Sequence, residues 1–143
     1  MRCELEYNLA EEFPFMKKKS QAAEGIIDDL YSAFGCECGD GWYEVIRGLC
    51  MAVTKFYVAS GEPIDLTVSQ VKEKYGTLRF YYNLENNHTQ DFYDGLREIV
   101  RFWEEKSAFV CEECGKRGEL RKDLPWILTL CDDCHKKQKQ KVR

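Results

Sequence analysis

The chain has 143 residues, of which 44% are hydrophobic and 13% aromatic. This length allows one domain with its own core and a small appendage, and no segment approaches the roughly 20 apolar residues of a membrane span. The formal net charge of −4 is uneven, with −7 over residues 1–110 and +3 over residues 111–143, so strong attraction of the whole chain to nucleic acid is not expected. We predict a helical and β-hairpin domain over residues 1–107, followed by a metal-binding module over residues 108–143.

The first part of the chain is predicted to begin with short helices. Residues 11–19 are interpreted as a short helix and a loop, because Pro14 interrupts them and a lysine triplet follows. Ser20 is a candidate N-cap for a first helix that ends at Gly35, where a left-handed residue is typical. The predicted apolar positions of this helix are Ile27, Leu30, Tyr31 and Phe34.

Two longer helices are predicted on either side of a β-hairpin. Asp40 is a candidate N-cap of the second helix, over about residues 41–59. Residues 86–89 begin the third helix, whose apolar stripe is expected to cover the hairpin. The stripes are Trp42, Val45, Ile46, Leu49, Val53, Phe56 and Tyr57 in the second helix and Phe92, Leu96, Ile99, Val100 and Trp103 in the third.

The hairpin is indicated by two segments rich in Val, Thr, Leu, Phe and Tyr, which flank the tripeptide Lys74-Tyr75-Gly76. A plain two-residue loop would place Lys72 directly opposite Arg79, a like-charge pair that costs stability. We therefore predict a type I turn at Lys74 and Tyr75, with Gly76 as a left-handed bulge residue. This register places Leu66, Val68, Leu78, Phe80 and Tyr82 on the core face and Thr67, Ser69, Glu73, Arg79 and Tyr81 on the opposite face.

Four cysteines near the C-terminus form two C-x2-C pairs separated by sixteen residues: Cys111, Cys114, Cys131 and Cys134. Two tight knuckles at this separation bring four thiolates to the corners of a tetrahedron, about 2.3 Å from the metal, which predicts one structural Zn²⁺. Such a site leaves no open position for Lewis-acid chemistry. Iron accepts the same ligands. The alternative of disulfides or unpaired thiols is disfavoured, because no signal segment precedes the cysteines and a reducing compartment is expected.

The residues around these cysteines outline a knuckle over residues 111–115, a short hairpin from segments 117–121 and 126–130, and a helix that the second cysteine pair opens. This order resembles the treble-clef class of zinc fold, related to zinc ribbons. The segment Leu130–Lys137 also resembles the closing helix of zinc-containing HNH nucleases. The predicted fold class is therefore α+β, with helices packed on a β-hairpin and a C-terminal treble-clef-like module.

The HNH resemblance implies a histidine general base between the two cysteine pairs. The sequence has no histidine between Cys114 and Cys131, and His135 and His88 lie elsewhere. A degenerate HNH-like nuclease is therefore the least favoured alternative, and we expect no enzyme.

Other candidate features of the chain have plain structural interpretations. Cys3, Cys36, Cys38 and Cys50 are interpreted as isolated buried thiols, because their irregular spacing disfavours a second metal site. The basic tail could follow a nucleic-acid backbone, whereas a solvated helix end, favoured by the helix dipole, is the alternative. Its cations are Lys136, Lys137, Lys139, Lys141 and Arg143.

Three sequence blocks together resemble a family of small uncharacterised phage and prophage proteins. They are C-E-C-G-D-G-W-Y over residues 36–43, Q-V-K-E-K-Y-G-T-L-R-F-Y over residues 70–81, and the two cysteine pairs ending in L-C-D-D-C over residues 130–134. The resemblance implies a phage-type protein made in the cytoplasm of a bacterial host. Because small phage proteins often act by binding, it favours a non-enzymatic protein that binds a host protein in host takeover or counter-defence.

The candidate contact surface is the hairpin, through Lys72, Lys74, Arg79 and Tyr81, which group cations and an aromatic ring within an acidic part of the chain. The alternative is that Glu73 neutralises Arg79 and the lysines protect a sheet edge. A nucleic-acid-binding protein and a nucleotide sponge are alternative functions, and no membrane partner is expected.

Overall fold

The computed structural model describes residues 1–19 and 29–142, and these form the predicted α+β fold. A three-stranded sheet, in the order β1-β2-β3, belongs to the main part of the chain, and a two-stranded sheet, β4-β5, belongs to the C-terminal module. The helices are α1 (Cys3–Glu12), α2 (Leu30–Phe34), α3 (Tyr43–Ser60), α4 (Gln90–Lys106) and α5 (Asp132–Lys141). The strands are β1 (Cys36–Glu37), β2 (Leu66–Lys74), β3 (Thr77–Leu84), β4 (Glu119–Arg121) and β5 (Leu128–Leu130).

The three helices predicted in the main part of the chain agree with the structure to different extents. The predicted start of the first helix at Ser20 lies outside the described residues, whereas its end at Gly35 is confirmed, with φ +67°. Helix α3 matches the predicted second helix, but Asp40 is not its N-cap. A 3-10 turn precedes α3, and the Asp40 carboxylate instead accepts the Arg2 N–H at 2.8 Å. The Thr89 hydroxyl caps α4 by accepting the Phe92 N–H.

The predicted bulge at the hairpin turn is wrong. Lys74 pairs with Thr77 around a two-residue loop, in which Tyr75 has φ +53° and Gly76 φ +85°. Two positive φ values define a type I′ turn, whose twist matches that of the strands. The Glu73 carboxylate accepts the Gly76 N–H at 2.8 Å and further stabilises the turn.

The bulge lies instead at Ser69, between the pairs Val68–Tyr82 and Gln70–Tyr81. This bulge keeps Leu66 and Val68 on the same face as Val71. The predicted apolar residues therefore still face the core, although the strands pair in a different register. Glu73 was predicted on the outer face with Arg79, but it pairs with Leu78 on the core side. Lys72 lies directly opposite Arg79.

The core lies between the inner face of the hairpin and helices α1, α3 and α4. Its largest fully buried side chains are Leu9, Met16, Tyr31, Trp42, Ile46, Leu49, Val53, Tyr57, Val71, Leu78 and Leu96. Helix α4 covers the hairpin as predicted, through Leu96 and Val100. No helix within the described ranges combines the length and the apolarity that crossing a bilayer requires.

Both edges of the three-stranded sheet carry local contacts. Strand β1, which the sequence did not predict, pairs in parallel with β2 at Val71 and Lys72. On the opposite edge, the Leu78 N–H donates to Ser107 Oγ and the Phe80 N–H donates to Glu104 Oε2. Burial raises the pKa of Glu104, although the Phe80 N–H and Arg79 oppose that shift. Side chains at the end of α4 therefore satisfy edge amides of β3 that would otherwise be open to strand addition.

Candidate metal centre

The four predicted metal ligands converge at one point of the C-terminal module. The Sγ atoms of Cys111, Cys114, Cys131 and Cys134 all lie within 4.8 Å of one another. Cys111 is fully buried, Cys131 and Cys134 are half-buried, and Cys114 is exposed. A group of four thiols at this separation could hold a metal ion.

The first cysteine pair lies on a tight knuckle. The Cys111 N–H donates to the Lys116 carbonyl at 2.7 Å, and the Gly115 N–H donates to the Cys111 carbonyl at 2.9 Å. Gly115 has φ +84°, a conformation in which glycine lacks the steric penalty of other residues. The backbone therefore turns back on itself and directs both thiols to the same side.

The second cysteine pair opens helix α5, as predicted. Cys131 follows β5 and is the N-cap of α5, where its Sγ accepts the Cys134 N–H at 3.4 Å. This hydrogen bond, together with contacts to the other three thiols, lowers the pKa of Cys131 to about 7. The helix N-terminus thus favours a thiolate at this corner of the site.

The donor set of this site fits a tetrahedral ion with soft ligands. Four cysteines fill all four positions of such an ion, and each contributes one sulfur atom. The protein thus closes the coordination sphere, and a bound ion would cross-link the knuckle to β5 and α5. An ion in such a closed site would stabilise the module.

The first block of the resemblance, residues 36–43, packs on the metal knuckle. The Gly41 N–H donates to the Glu112 carbonyl at 2.7 Å, and the Trp42 indole N–H donates to the Val110 carbonyl at 2.8 Å. A Cβ atom on Gly41 would collide with the Cys111 carbonyl oxygen. Gly39 and Gly41 therefore permit the backbone of this loop to approach the backbone of the knuckle, which a residue with a Cβ atom would prevent.

Glu112, between the first two ligands, holds the same loop through its side chain. Its Oε2 accepts the Gly39 N–H at 2.9 Å, and its backbone N–H donates to the Thr129 carbonyl at 3.0 Å. Burial raises the pKa of Glu112 to about 7, partly offset by the Gly39 N–H. Sequence reasoning did not identify Glu112, because a glutamate inside a C-x2-C pair resembles an ordinary solvated acid.

The second block of the resemblance meets the module at the hairpin turn. The Thr129 hydroxyl on β5 donates to the Gly76 carbonyl at 2.6 Å, and Gly76 is buried although it belongs to a turn. A Cβ on Gly76 would lie against Leu120 and Thr129. All three blocks therefore meet at the metal module, and they form the contact between the module and the main domain.

The four predicted contact residues share the outer face of the hairpin. Lys72 is opposite Arg79, Tyr81 is opposite Gln70, and Lys74 lies at the turn on the same face. Tyr81 is 41% exposed, and Lys74 Nζ lies 5.8 Å from the centre of the Tyr75 ring. The predicted neutralisation of Arg79 by Glu73 does not occur, because Glu73 lies on the core side.

Three of the four cysteines outside the metal site are buried thiols, as predicted, and the fourth is not. Cys36, Cys38 and Cys50 are buried, and burial raises the pKa of the Cys36 thiol to about 12. Cys3 is exposed, so the prediction of a buried thiol is wrong at this position. Its place on the outer side of α1, which the sequence analysis did not predict as a helix, explains the difference.

In the C-terminal helix, side chains pair locally with the loop between β4 and β5. His135 Nε2 lies 2.9 Å from Asp123 Oδ1, and Lys139 Nζ lies 2.6 Å from Asp123 Oδ2. Hydrogen bonds from Lys139 and His135 lower the pKa of Asp123 to about 2. These contacts fasten α5 to the loop that precedes β5, so His135 has a structural partner.

A buried polar network that the sequence did not reveal lies at the other end of the sheet. Asp65 accepts hydrogen bonds from the Tyr57 hydroxyl at 2.6 Å, the Asn86 N–H at 2.8 Å and His88 Nε2 at 2.8 Å. The His88 ring stacks on Phe92 with 4.1 Å between ring centroids. His88, in the loop before α4, thus fastens the start of α4 to the start of β2.

A groove of about 600 Å³ lies beside the metal centre. Helix α1, the start of α3, the end of α4 and the knuckle form its walls, and Cys114 reaches its surface. Lys106 Nζ lies 4.9 Å from the centroid of the Trp103 ring within the same wall.

Comparisons of the chain with protein-family models, with curated proteins and with solved structures found no match. Its own residues and contacts are therefore what indicates its function.

Proposed function

We propose that the chain is a non-enzymatic zinc-binding protein of phage type, which binds a host protein in the bacterial cytoplasm and inhibits it during host takeover or counter-defence. The bound ion is one structural Zn²⁺, held by Cys111, Cys114, Cys131 and Cys134. Four thiols on two tight knuckles favour zinc, since this ion accepts tetrahedral thiolate ligation without a further geometric preference.

The observation that carries the proposal is the cross-strand pair of Lys72 and Arg79. Like charges directly opposite each other in a sheet reduce its stability, and an alternative register would have separated them. Among the described residues, no carboxylate lies within 4.0 Å of the charged nitrogens of Lys72, Lys74 or Arg79. Glu37 on β1 lies beside Lys72 and the charge of Arg79 acts on Glu104, but neither cation forms an ion pair within this distance; a binding surface explains why the two cations are kept side by side.

The metal module supports this surface at the turn of the hairpin. The turn that joins the two strands is anchored to β5 by the bond between Thr129 and Gly76, and the zinc ion holds β5 in place through Cys131. The outer face of the hairpin is thereby preorganised, which reduces the entropy lost on binding. The closed metal centre and the cationic face thus form one functional unit.

The chemistry of the face indicates an acidic partner surface. Lys72, Lys74 and Arg79 supply positive charge within a part of the chain that is otherwise acidic, and Tyr81 adds an exposed aromatic ring of the kind enriched at interfaces. Because residues 1–110 carry a net charge of −7, an acidic partner would be repelled by most of the main domain, which favours docking through this face.

The test is capture from a bacterial lysate by the tagged protein and by two double variants. Lys72→Gln/Arg79→Gln removes the cationic pair, and Lys55→Gln/Arg97→Gln removes two exposed cations from α3 and α4 as a matched control. We expect the unchanged protein and the control to retain one host protein in stoichiometric amount, with binding weakened at least about tenfold in the face variant.

Two results would contradict the proposal. Equal capture by the Lys72→Gln/Arg79→Gln variant would show that the partner binds to another surface. Capture of nuclease-sensitive material only, with an affinity that falls linearly with salt on logarithmic axes, would show a nucleic-acid-binding protein instead. The metal content of each purified protein is measured in parallel, so that loss of the zinc module is distinguished from loss of the contact.

A further inference from the structure

The four metal ligands differ in their access to solvent. Cys111 is 0% exposed, and the helix and the strands around β5 half-cover Cys131 and Cys134. Cys114 is exposed, and it alone of the four ligands lines the groove of about 600 Å³ described above. A reagent that arrives from solvent through this groove therefore meets Cys114 first.

The groove has the size and wall chemistry of a site for a small molecule. Its volume lies within the typical range for ligand pockets, and it forms where the module joins the main domain. The walls combine apolar and aromatic side chains with a few charges. The apolar and aromatic members are Leu5, Tyr43, Val45, Trp103 and Val110.

We propose that Cys114 is a modification site, at which the metal-bound thiolate attacks small uncharged electrophiles that enter this groove. A cysteine that ligates a metal is held as the thiolate, which is the nucleophilic form, and its susceptibility follows its exposure. With a haloacetamide, the Sγ–C bond forms, the carbon–halogen bond breaks and halide leaves. With a peroxide, the Sγ–O bond forms, the O–O bond breaks and hydroxide leaves, which produces a sulfenic acid.

The charge around Cys114 selects uncharged reagents over anionic ones. Four thiolates and one divalent ion carry a net charge of about −2. Glu44 and Glu113 add negative charge to the groove, whereas Arg2 and Asp40 neutralise each other through a 2.7 Å ion pair. Lys106 is then the main opposing charge, and it lies over the Trp103 ring.

Modification would weaken the metal centre, because a thioether or a sulfenic acid is a poorer ligand than a thiolate. Release of the ion would then loosen the knuckle that carries Glu112 and, with it, the loop at Gly39 and Gly41. A chemical event at one exposed sulfur would thus reach the contact between the module and the main domain.

The experiment measures alkylation of the metal-loaded Cys3→Ser protein by iodoacetamide and, separately, by iodoacetate. Replacement of Cys3 removes the exposed cysteine outside the metal site. Peptide mass mapping gives the rate at each cysteine, and a colorimetric metal indicator follows release of the ion. We expect Cys114 to react at least about tenfold faster than Cys131 and Cys134, with iodoacetamide faster than iodoacetate and Cys50 unmodified.

Three outcomes would overturn the proposal. Equal rates at the four ligands would show that the site opens before it reacts. A rate that does not depend on iodoacetamide concentration would show that metal release comes first. The third outcome concerns Lys106→Glu, which is expected to slow alkylation by iodoacetate and to leave the rate with iodoacetamide within about twofold. Lys55→Glu is the control. Unchanged rates with both reagents in the Lys106 variant would place the reaction outside the groove.

Discussion

The Thr129 hydroxyl donates a buried hydrogen bond of 2.6 Å to the carbonyl of Gly76, fifty-three positions earlier in the chain. Thr129 precedes the ligand Cys131 by two residues, and Gly76 is the second residue of the hairpin turn. The bond therefore couples the metal centre to the proposed binding face. Because both groups are buried, neither has water as an alternative partner.

Substitution of Thr129 by valine tests this coupling. The change keeps the shape of the side chain but leaves the Gly76 carbonyl without its donor, so we expect the free energy of unfolding to fall by about 1–3 kcal/mol. Thr129→Ser retains the hydroxyl and is the matched control. Urea unfolding and metal analysis are measured together, and equal stability of the valine and serine variants would show that the bond has no net effect.

Removal of one ligand tests the metal centre. Cys131→Ser is expected to release the ion and to unfold the chain from about residue 108 onward, because the binding energy of such sites is folding energy. Hydrogen exchange should also increase at the turn around Gly76, since β5 no longer supports it. Unchanged metal stoichiometry in this variant would contradict the assignment of the ligands.

The close approach of the loop at Gly41 to the knuckle predicts a severe effect of a single methyl group. In Gly41→Ala the new Cβ would collide with the Cys111 and Glu112 carbonyls, so we expect a loss of about 3 kcal/mol or more. Gly61→Ala is the control, because Gly61 has φ +71° but no neighbour within 4 Å of the added atom. Strain alone should cost that variant about 1 kcal/mol in thermal or urea unfolding.

The network around Asp65 predicts a dependence of stability on pH. Burial raises the pKa of this carboxyl, but hydrogen bonds from Tyr57, His88 and the Asn86 N–H outweigh burial and hold the pKa below its usual value. Asp65 therefore stabilises the fold above the pKa of the unfolded chain, about 3.9, and this contribution is lost as pH falls further through the folded value.

The measurement compares the unchanged protein with Asp65→Asn by urea unfolding at pH 7 and at pH 3. We expect a difference of about 2 kcal/mol at pH 7, because hydrogen bonds to a charged acceptor are lost, and a smaller difference at pH 3. A difference that stays constant between the two pH values would show that the carboxylate charge is not the stabilising element.

The cationic pair predicts opposite effects on stability and on binding. Lys72→Gln removes the repulsion with Arg79, so the free energy of unfolding should stay the same or rise by up to about 0.5 kcal/mol while capture of the partner weakens. Lys55→Gln should change neither property. A loss of stability above about 1 kcal/mol in the Lys72 variant would show that the lysine has a structural role, which would remove the argument for a binding surface.

The elements whose signals are local could be predicted from the sequence. The spacing of four cysteines predicted both knuckles and the helix that Cys131 opens, because ligand spacing in a C-x2-C pair is a property of a few consecutive residues. Helical periodicity likewise predicted α3 and α4, and the alternation of apolar residues predicted the core face of the hairpin. These features depend on near neighbours in the chain.

The way in which these elements pack together depends on tertiary contacts that the sequence did not predict. The hairpin register depends on a type I′ turn supported by Glu73 and on a bulge at Ser69, and no local pattern showed that the turn would pack against Thr129. Gly39, the partner of the Glu112 carboxylate, and Asn86 and His88, two partners of Asp65, are likewise distant in sequence. Contacts between residues far apart depend on the packing of whole elements, so the residues in them have no spacing by which a sequence could identify them.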